Sequence, residues 1–409
     1  MPDSPTATKS KSSVSPTVLA VPSRNWKSRR LPVGLIAGTI AALLLAACSS
    51  SASNTNSSSS SSSLPKTIKL VNIDGLTGAG AAYATYIKQG MELAVDDINS
   101  SHYLPHSSLS MTFEDSTGSP STAASLANQA VGKYTVVFGP NDSGSAVAVA
   151  PILARNNVPT VFTQAGSPGV LIAKNIVRLT PLQTSYVPKT LQYLASTKAK
   201  SLAVIYDSDY PTLMDEANDM KNLASRYNYK YVGSAAVLST TSDISSAVSK
   251  LLSFHPAAIG VLLVGAQNSS LGSLLSQANF HGPVISAEGA LAGLLGSKNS
   301  EANGWTWTAD WNPPGTNQKS KIFTSQFEAK FHATPTLWSA EAYDAVYYAA
   351  AALKAANSTV AAKVDAALAT VGANGFNGIL GSDLVVRNGQ EYSNGFLVRW
   401  ENGGGTIVG

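Results

Sequence analysis

From Lys66 onward, short β-branched runs alternate with apolar stripes at helical spacing, and this alternation restricts the chain to one broad class of fold, the α/β proteins built on parallel sheets. Residues 68–73, Ile-Lys-Leu-Val-Asn-Ile, have the pattern of a strand. After a turn rich in Gly and Thr come Ile87, Met91, Val95 and Ile98, whose spacing keeps them on one helix face. The unit of strand, loop and helix recurs at 136–138, 139–144 and 146–153, and residues 158–163 supply a further strand. A second series begins after Pro181, with strands predicted at 202–206, 231–237, 258–264 and 283–286 and helices at 212–227, 244–254 and 271–280. Helices at 320–331, 340–356 and 360–371 and short strands at 378–386 and 395–400 complete the chain without forming a third domain. About 345 residues are more than one core usually serves, so two doubly wound parallel-sheet lobes are expected. In such sheets a ligand lies at the carboxyl ends of the strands, and two facing lobes place it in the cleft between them.

The N-terminal segment has a different logic. Arg24, Lys27, Arg29 and Arg30 precede an apolar run over 31–47 that ends Leu45-Ala46-Ala47-Cys48. A basic stretch, an apolar stretch and small residues before a cut site describe an export signal rather than a fold element. The cut site resembles a bacterial lipobox, which implies lipidation of Cys48 and a diacyl hold on the membrane. An uncleaved signal anchor is the other reading, and both put the body outside the cytoplasm. Residues 48–65, dominated by serine, offer almost nothing to bury and read as a flexible tether.

Residues 1–47 hold six of the 28 Lys and Arg and one of the 24 Asp and Glu, so the remainder carries 22 against 23. That near-neutral body gives no basic face for nucleic acid. With Cys48 as the only cysteine, the body has no disulfide, and five scattered histidines supply no metal-binding pair. No metal and no cofactor are expected.

Three motifs invite chemistry. Gly75 to Tyr83 follows a strand and opens a helix, but the third glycine of a dinucleotide fingerprint would fall at Tyr83, so Tyr83 either points into a site or packs. Asn141-Asp142-Ser143-Gly144-Ser145 resembles a nucleophile's surroundings only superficially, since no histidine is positioned as its base. The same residues also suit a helix start, where free N–H groups and the Ser143 hydroxyl face an anion, or where Ser143 or Asp142 merely caps the helix.

Read together, these residues are similar to a known family. Thr77-Gly78 with Tyr83, Gly90 to Asn99, Glu114-Asp115-Ser116, Phe138-Gly139-Pro140 with Ser143-Gly144, Arg178-Leu179-Thr180-Pro181, Ala287-Glu288-Gly289 and Ala342-Tyr343-Asp344 occur in the order found in the leucine/isoleucine/valine-type periplasmic binding proteins, the type I solute receptors of ABC importers. The resemblance implies two lobes joined by a three-crossover hinge, with crossings near 180–181, 311–315 and 376. Lobe I would be 66–181 with 312–376, and lobe II 182–311 with 377–409. It implies that Ser143, Gly144 and nearby N–H groups hold a ligand carboxylate, that Glu288 holds an ammonium and that Tyr83 borders the same end. Gln164-Ala165-Gly166-Ser167-Pro168 departs from the usual Ser-Ala-Thr-Ser-Pro, which removes a threonine hydroxyl and leaves Gln164 to replace it or to shorten the pocket. Tyr210, Gln267 and Trp307 fall near positions that line the side-chain pocket, although Trp307 equally suits lobe packing.

The expected function is non-enzymatic: a lipid-anchored receptor that captures a small polar solute, an amino acid or related amide, and passes it to ABC permease subunits. A ligand sensor coupled to a signalling partner is the alternative, and the sequence does not separate the two.

Overall fold

The computed structural model describes residues 64–409 apart from 79, 298, 382 and 383. The export signal, Cys48 and nearly all of the tether lie outside the described residues. Among the described residues no helix is long and apolar enough to cross a membrane.

The first sheet begins with β1 (Thr67–Asp74), α1 (Ala81–Ser100), β2 (Ser108–Asp115), α2 (Pro120–Ala130), β3 (Val136–Phe138), α3 (Ser143–Arg155), β4 (Thr160–Phe162) and β5 (Ile176–Arg178). The second contains β6 (Ser201–Asp207), β7 (Lys230–Val237), β8 (Ala258–Leu262), β9 (Val284–Ser286) and β10 (Thr306–Ala309). Its helices are α4 (Val187–Ser196), α5 (Pro211–Asn222), α6 (Ser245–Ser253), α7 (Gln267–Gln277) and α8 (Ala290–Ser297). The chain then forms α9 (Gln318–Phe331), α10 (Leu337–Ala356) and α11 (Ala361–Ala373), followed by the strands β11 (Val385–Arg387), β12 (Gln390–Tyr392), β13 (Phe396–Glu401) and β14 (Gly404–Ile407).

Each sheet has seven strands. The orders are β11-β12-β5-β4-β3-β1-β2 and β14-β13-β10-β9-β8-β6-β7. Pairing is parallel except for β11 with β12 and for β13 with β10 and β14. This is the doubly wound α/β architecture in two lobes. The strands read as continuous apolar runs because both faces are covered: in β1, Ile68 and Leu70 join one core while Val71 and Ile73 join the other. Helix α1 packs against α10 so closely that a Cβ on Gly90 would stand 2.2 Å from the Ser339 carbonyl oxygen.

The last crossing differs from the sequence expectation. Residues 385–392, placed with lobe II on the sequence, belong to the first sheet, so the chain crosses after Tyr392 rather than near Phe376. Two interactions hold them there: the Arg178 amide donates to the Gly389 carbonyl at 2.6 Å, and Gln390 Nε2 donates to the Thr180 carbonyl at 2.8 Å. Asn388 and Gly389 both have positive φ, as a two-residue type I′ hairpin requires, and Asn402-Gly403 repeats the device between β13 and β14.

Candidate functional site: a cleft between two topological switch points

In each lobe the strand order reverses beside the first strand, at β1/β3 in one and β6/β8 in the other, and it is beyond the carboxyl ends of such strands that open α/β sheets leave a crevice. The two crevices meet. A cavity of ≈ 70 Å³ is lined from the first lobe by Tyr83, Asn141, Asp142 and Ser143, and from the second by Tyr210, Thr212, Leu263 and Val264. Gln164, Gln183, Gly289 and Trp338 complete most of its wall.

Two hydrogen bonds close the lobes over this cavity. Ser143 Oγ and Thr212 Oγ1 lie 2.7 Å apart, and the Gly265 amide donates to the Tyr83 hydroxyl at 2.5 Å. Ser143 Oγ also accepts from the Ser167 amide at 3.1 Å. Helix α3 is capped by Asp142, whose carboxylate accepts from the Ser145 amide at 2.7 Å, so Ser143 is free of capping work. Tyr83, in the first turn of α1, stacks edge-on against Trp338 with centroids 4.8 Å apart. Burial raises the ionisation of its phenol above the ordinary range, keeping it neutral.

The loop after β4 is organised from the hinge. The Arg178 guanidinium, buried at the end of β5, donates to the Ala165 carbonyl at 2.7 Å, the Ser167 carbonyl at 2.8 Å and Gln390 Oε1 at 2.8 Å. Burial lowers its pKa to about 10, still fully charged at neutral pH. Gln164 is thereby held at φ +63 with its amide donating to Glu341 and accepting from Gln183 Nε2 at 3.1 Å. Glu341 also accepts from the Thr180 hydroxyl at 2.8 Å.

Of the residues expected from sequence, Tyr83, Ser143, Gln164 and Tyr210 line the cavity. Glu288 is 4 % exposed and directly precedes the lining residue Gly289. Burial pushes its carboxyl up to about 7, with the Asp310 charge adding to the rise and a hydrogen bond from Gln183 opposing it. Gly166 sits at the lobe contact: a Cβ there would be 2.7 Å from Gln183 Oε1 and 2.9 Å from Thr212 Cγ2. Side chains of Gln183 and Thr212 thus fill the space that a side chain at 166 would take. With Glu288 and Gly166, three more of the expected residues fall outside the cavity lining. Gly144 lies in the first turn of α3, Ala165 is buried in the core behind the loop, and Gln267 donates to the Leu238 and Thr241 carbonyls at 2.9 Å each. Trp307 is fully buried within β10 and packs in the lobe core.

Sequence reasoning did not nominate Gln183, Thr212, Trp338 or Glu216. Thr212 alone carried a signal, since it follows the Tyr210-Pro211 pair that begins a helix. Among the described residues no group of three His, Cys, Asp or Glu side chains is arranged to hold a metal ion.

Two α/β lobes enclosing a small cavity, mostly apolar and aromatic with a few polar groups, are the architecture of a solute-binding protein. The chain belongs to the periplasmic binding protein family, whose model matches residues 67–405, and the body is therefore extracytoplasmic and not an enzyme. A Leu/Ile/Val-binding protein homologue from Brucella melitensis is 29% identical over 259 residues, 62% of this chain and 66% of that protein, just under two thirds of its length. Among solved structures, the leucine-binding protein LivK from Thermotoga maritima superimposes with a TM-score of 0.75 at 21% identity, covering 84% of this chain and 98% of that one. A solute-binding protein from R. palustris in complex with benzoate gives 0.78 at 19% identity, covering 84% and 96%.

Proposed function

We propose that the protein is a lipid-anchored receptor that captures a small amine-bearing solute, an amino acid or related amide, in the cleft between its lobes and delivers it to an ABC importer. The observation that carries this reading is the meeting of both switch-point crevices in one cavity, with Glu288 buried beside it on the second lobe. The similarity to leucine-binding proteins supports an importer's solute, and the likeness to a benzoate complex means that the solute must be argued from this chain's own residues. Open and closed forms exchange by hinge motion, and a ligand favours the closed form only through contacts to the second lobe. The diacyl hold through Cys48 and the flexible tether over 48–65 would keep the body close to its permease. Lobe I runs over 66–181 and the helices after residue 312, extended to Tyr392 by the hairpin, and lobe II takes the remainder.

Thermal-shift screening against amino acids, amides and aromatic acids identifies the solute class, because a ligand bound to the native state raises its apparent stability. Calorimetry on Glu288→Ala then tests the contact: removing a charged hydrogen bond should weaken an amine-bearing ligand by about 2 kcal/mol. Unchanged affinity would take Glu288 out of the site.

A further inference from the structure

The cavity wall contains no lysine, arginine or histidine, and its one charged residue is Asp142. We propose that the cleft selects a small organic cation that lacks a free carboxylate, such as an amine-bearing amide, with Glu216 and Asp142 as the residues that exclude the free acid. The inference rests on reading this cleft as the solute site.

A zwitterion needs a positive pole for its acid end, and with no basic side chain in the wall that role falls to helix N-termini: α1 and α5 begin beside the cavity, α5 with Pro211, which has no N–H to offer, and α3 supplies the third. That pole is already occupied. Asp142 lines the cavity, and its own carboxylate accepts the Ser145 amide at 2.7 Å. The Ser143 hydroxyl beside it is engaged by Thr212 and by the Ser167 amide. A carboxylate guest would therefore meet a carboxylate and a hydroxyl that has partners, in a setting where like charges repel strongly.

On the second lobe stands Glu216, 3 % exposed, with Oε1 lacking any hydrogen-bond partner. It follows the lining residues Thr212 and Leu213 by four and three positions on α5, so it lies one helical turn behind the cavity wall, buried on the same side of the helix. Burial and then the Glu288 charge raise its carboxyl well above the ordinary range, and a buried acid pair held this way without a cation is an arrangement that a bound cation relieves. Acidic groups act on both cavity tyrosines. Asp207 and Glu288 act on Tyr83, and Asp142, Asp207 and Asp74 act on Tyr210. Three aromatic rings, Tyr83, Tyr210 and Trp338, complete the wall, and such faces attract ammonium and guanidinium groups.

The test is calorimetry on the full chain in mild detergent at pH 7, with glycine, leucine and phenylalanine each paired with its amide, and with benzoate alongside. The expected result is that an amide binds roughly tenfold or more tightly than its acid, with Glu216→Gln narrowing that ratio. Asp142→Asn, which keeps a capping side chain, should narrow it too and serves if Glu216→Gln does not fold. Acids that bind as tightly as their amides would overturn the inference and leave the cleft as an amino acid site. If benzoate alone binds, the amine-bearing reading fails with it. No response to any of the seven probes also overturns the inference.

Discussion

The hydroxyl of Ser143, at the start of α3, lies 2.7 Å from the hydroxyl of Thr212, at the start of α5, so the leading ends of two helices from opposite lobes meet through a single hydrogen bond. Each hydroxyl sits just beyond a strand's carboxyl end at its lobe's switch point. The bond therefore reports directly on whether the cleft is shut.

Thr212→Val removes this link while leaving Ser143 its bond from the Ser167 amide. The protein should lose about 1 kcal/mol of stability, the usual net worth of one hydrogen bond. Small-angle scattering of the unliganded variant should show a larger radius of gyration than the parent. An identical radius would mean that the lobes are held by other contacts.

Gly166→Thr adds the hydroxyl that the family resemblance leads one to expect there, but its Cβ would press on Gln183 Oε1 and on Thr212 Cγ2. Closure should suffer more than folding. We expect ligand affinity to fall about tenfold or more, equivalent to 1.4 kcal/mol, with the melting temperature of the free protein nearly unchanged. A gain in affinity would show that the loop can rearrange to use the new hydroxyl.

Arg178→Lys keeps the charge and loses the planar fork that reaches two carbonyls and Gln390 at once. Chemical denaturation should register a loss of about 3 kcal/mol, because buried acceptors are left without donors. The effect should reach the cleft through Gln164, whose conformation depends on the same loop.

The pH dependence of stability has a definite sign. Burial raises the carboxyls of Glu288 and Asp74 to about 7 and that of Asp207 to about 6, above their unfolded values. The native state then binds more protons than the unfolded chain between roughly pH 4 and 7, so stability is present in acid and falls as pH rises through that window. For Glu288 alone the full swing is about 3 kcal/mol. The ligand-free protein should melt higher at pH 5.5 than at pH 8, and Glu288→Gln should flatten the curve. A melting temperature that rises from pH 5.5 to pH 8 would contradict this.

The strands and helices were legible in the sequence wherever both faces of an element are buried, because continuous apolar runs and helical stripes then appear without interruption, as in β1 and α1. Less legible was the hairpin of β11 and β12. Its Asn388-Gly389 turn is a strong local signal, yet three-residue strands at a sheet edge carry too little apolar pattern to show which sheet they join. In the cleft, Tyr83 and Ser143 could be picked out because each begins a helix just after a strand, whereas Tyr210 was reached only through the family resemblance. Gln183 and Trp338 come from a hinge segment and from a helix far along the chain, so only the folded arrangement brings them to the cavity. Glu216 was hidden for another reason: among Asp215, Asp219 and Lys221 it looks like one more charge on a solvated helix face.

The third passage between the lobes has a consequence for how the body is assembled. Strands β13 and β14 are made after every strand of the first sheet, and β13 covers the flank of β10 through the register from Thr306 with Arg399 to Ala309 with Phe396. Until those residues emerge, β10 presents an unpaired edge at which another chain could dock. The second lobe is thus completed only after the first, and a chain stopped at Tyr392 would retain every strand of the first sheet while being prone to clump through the second.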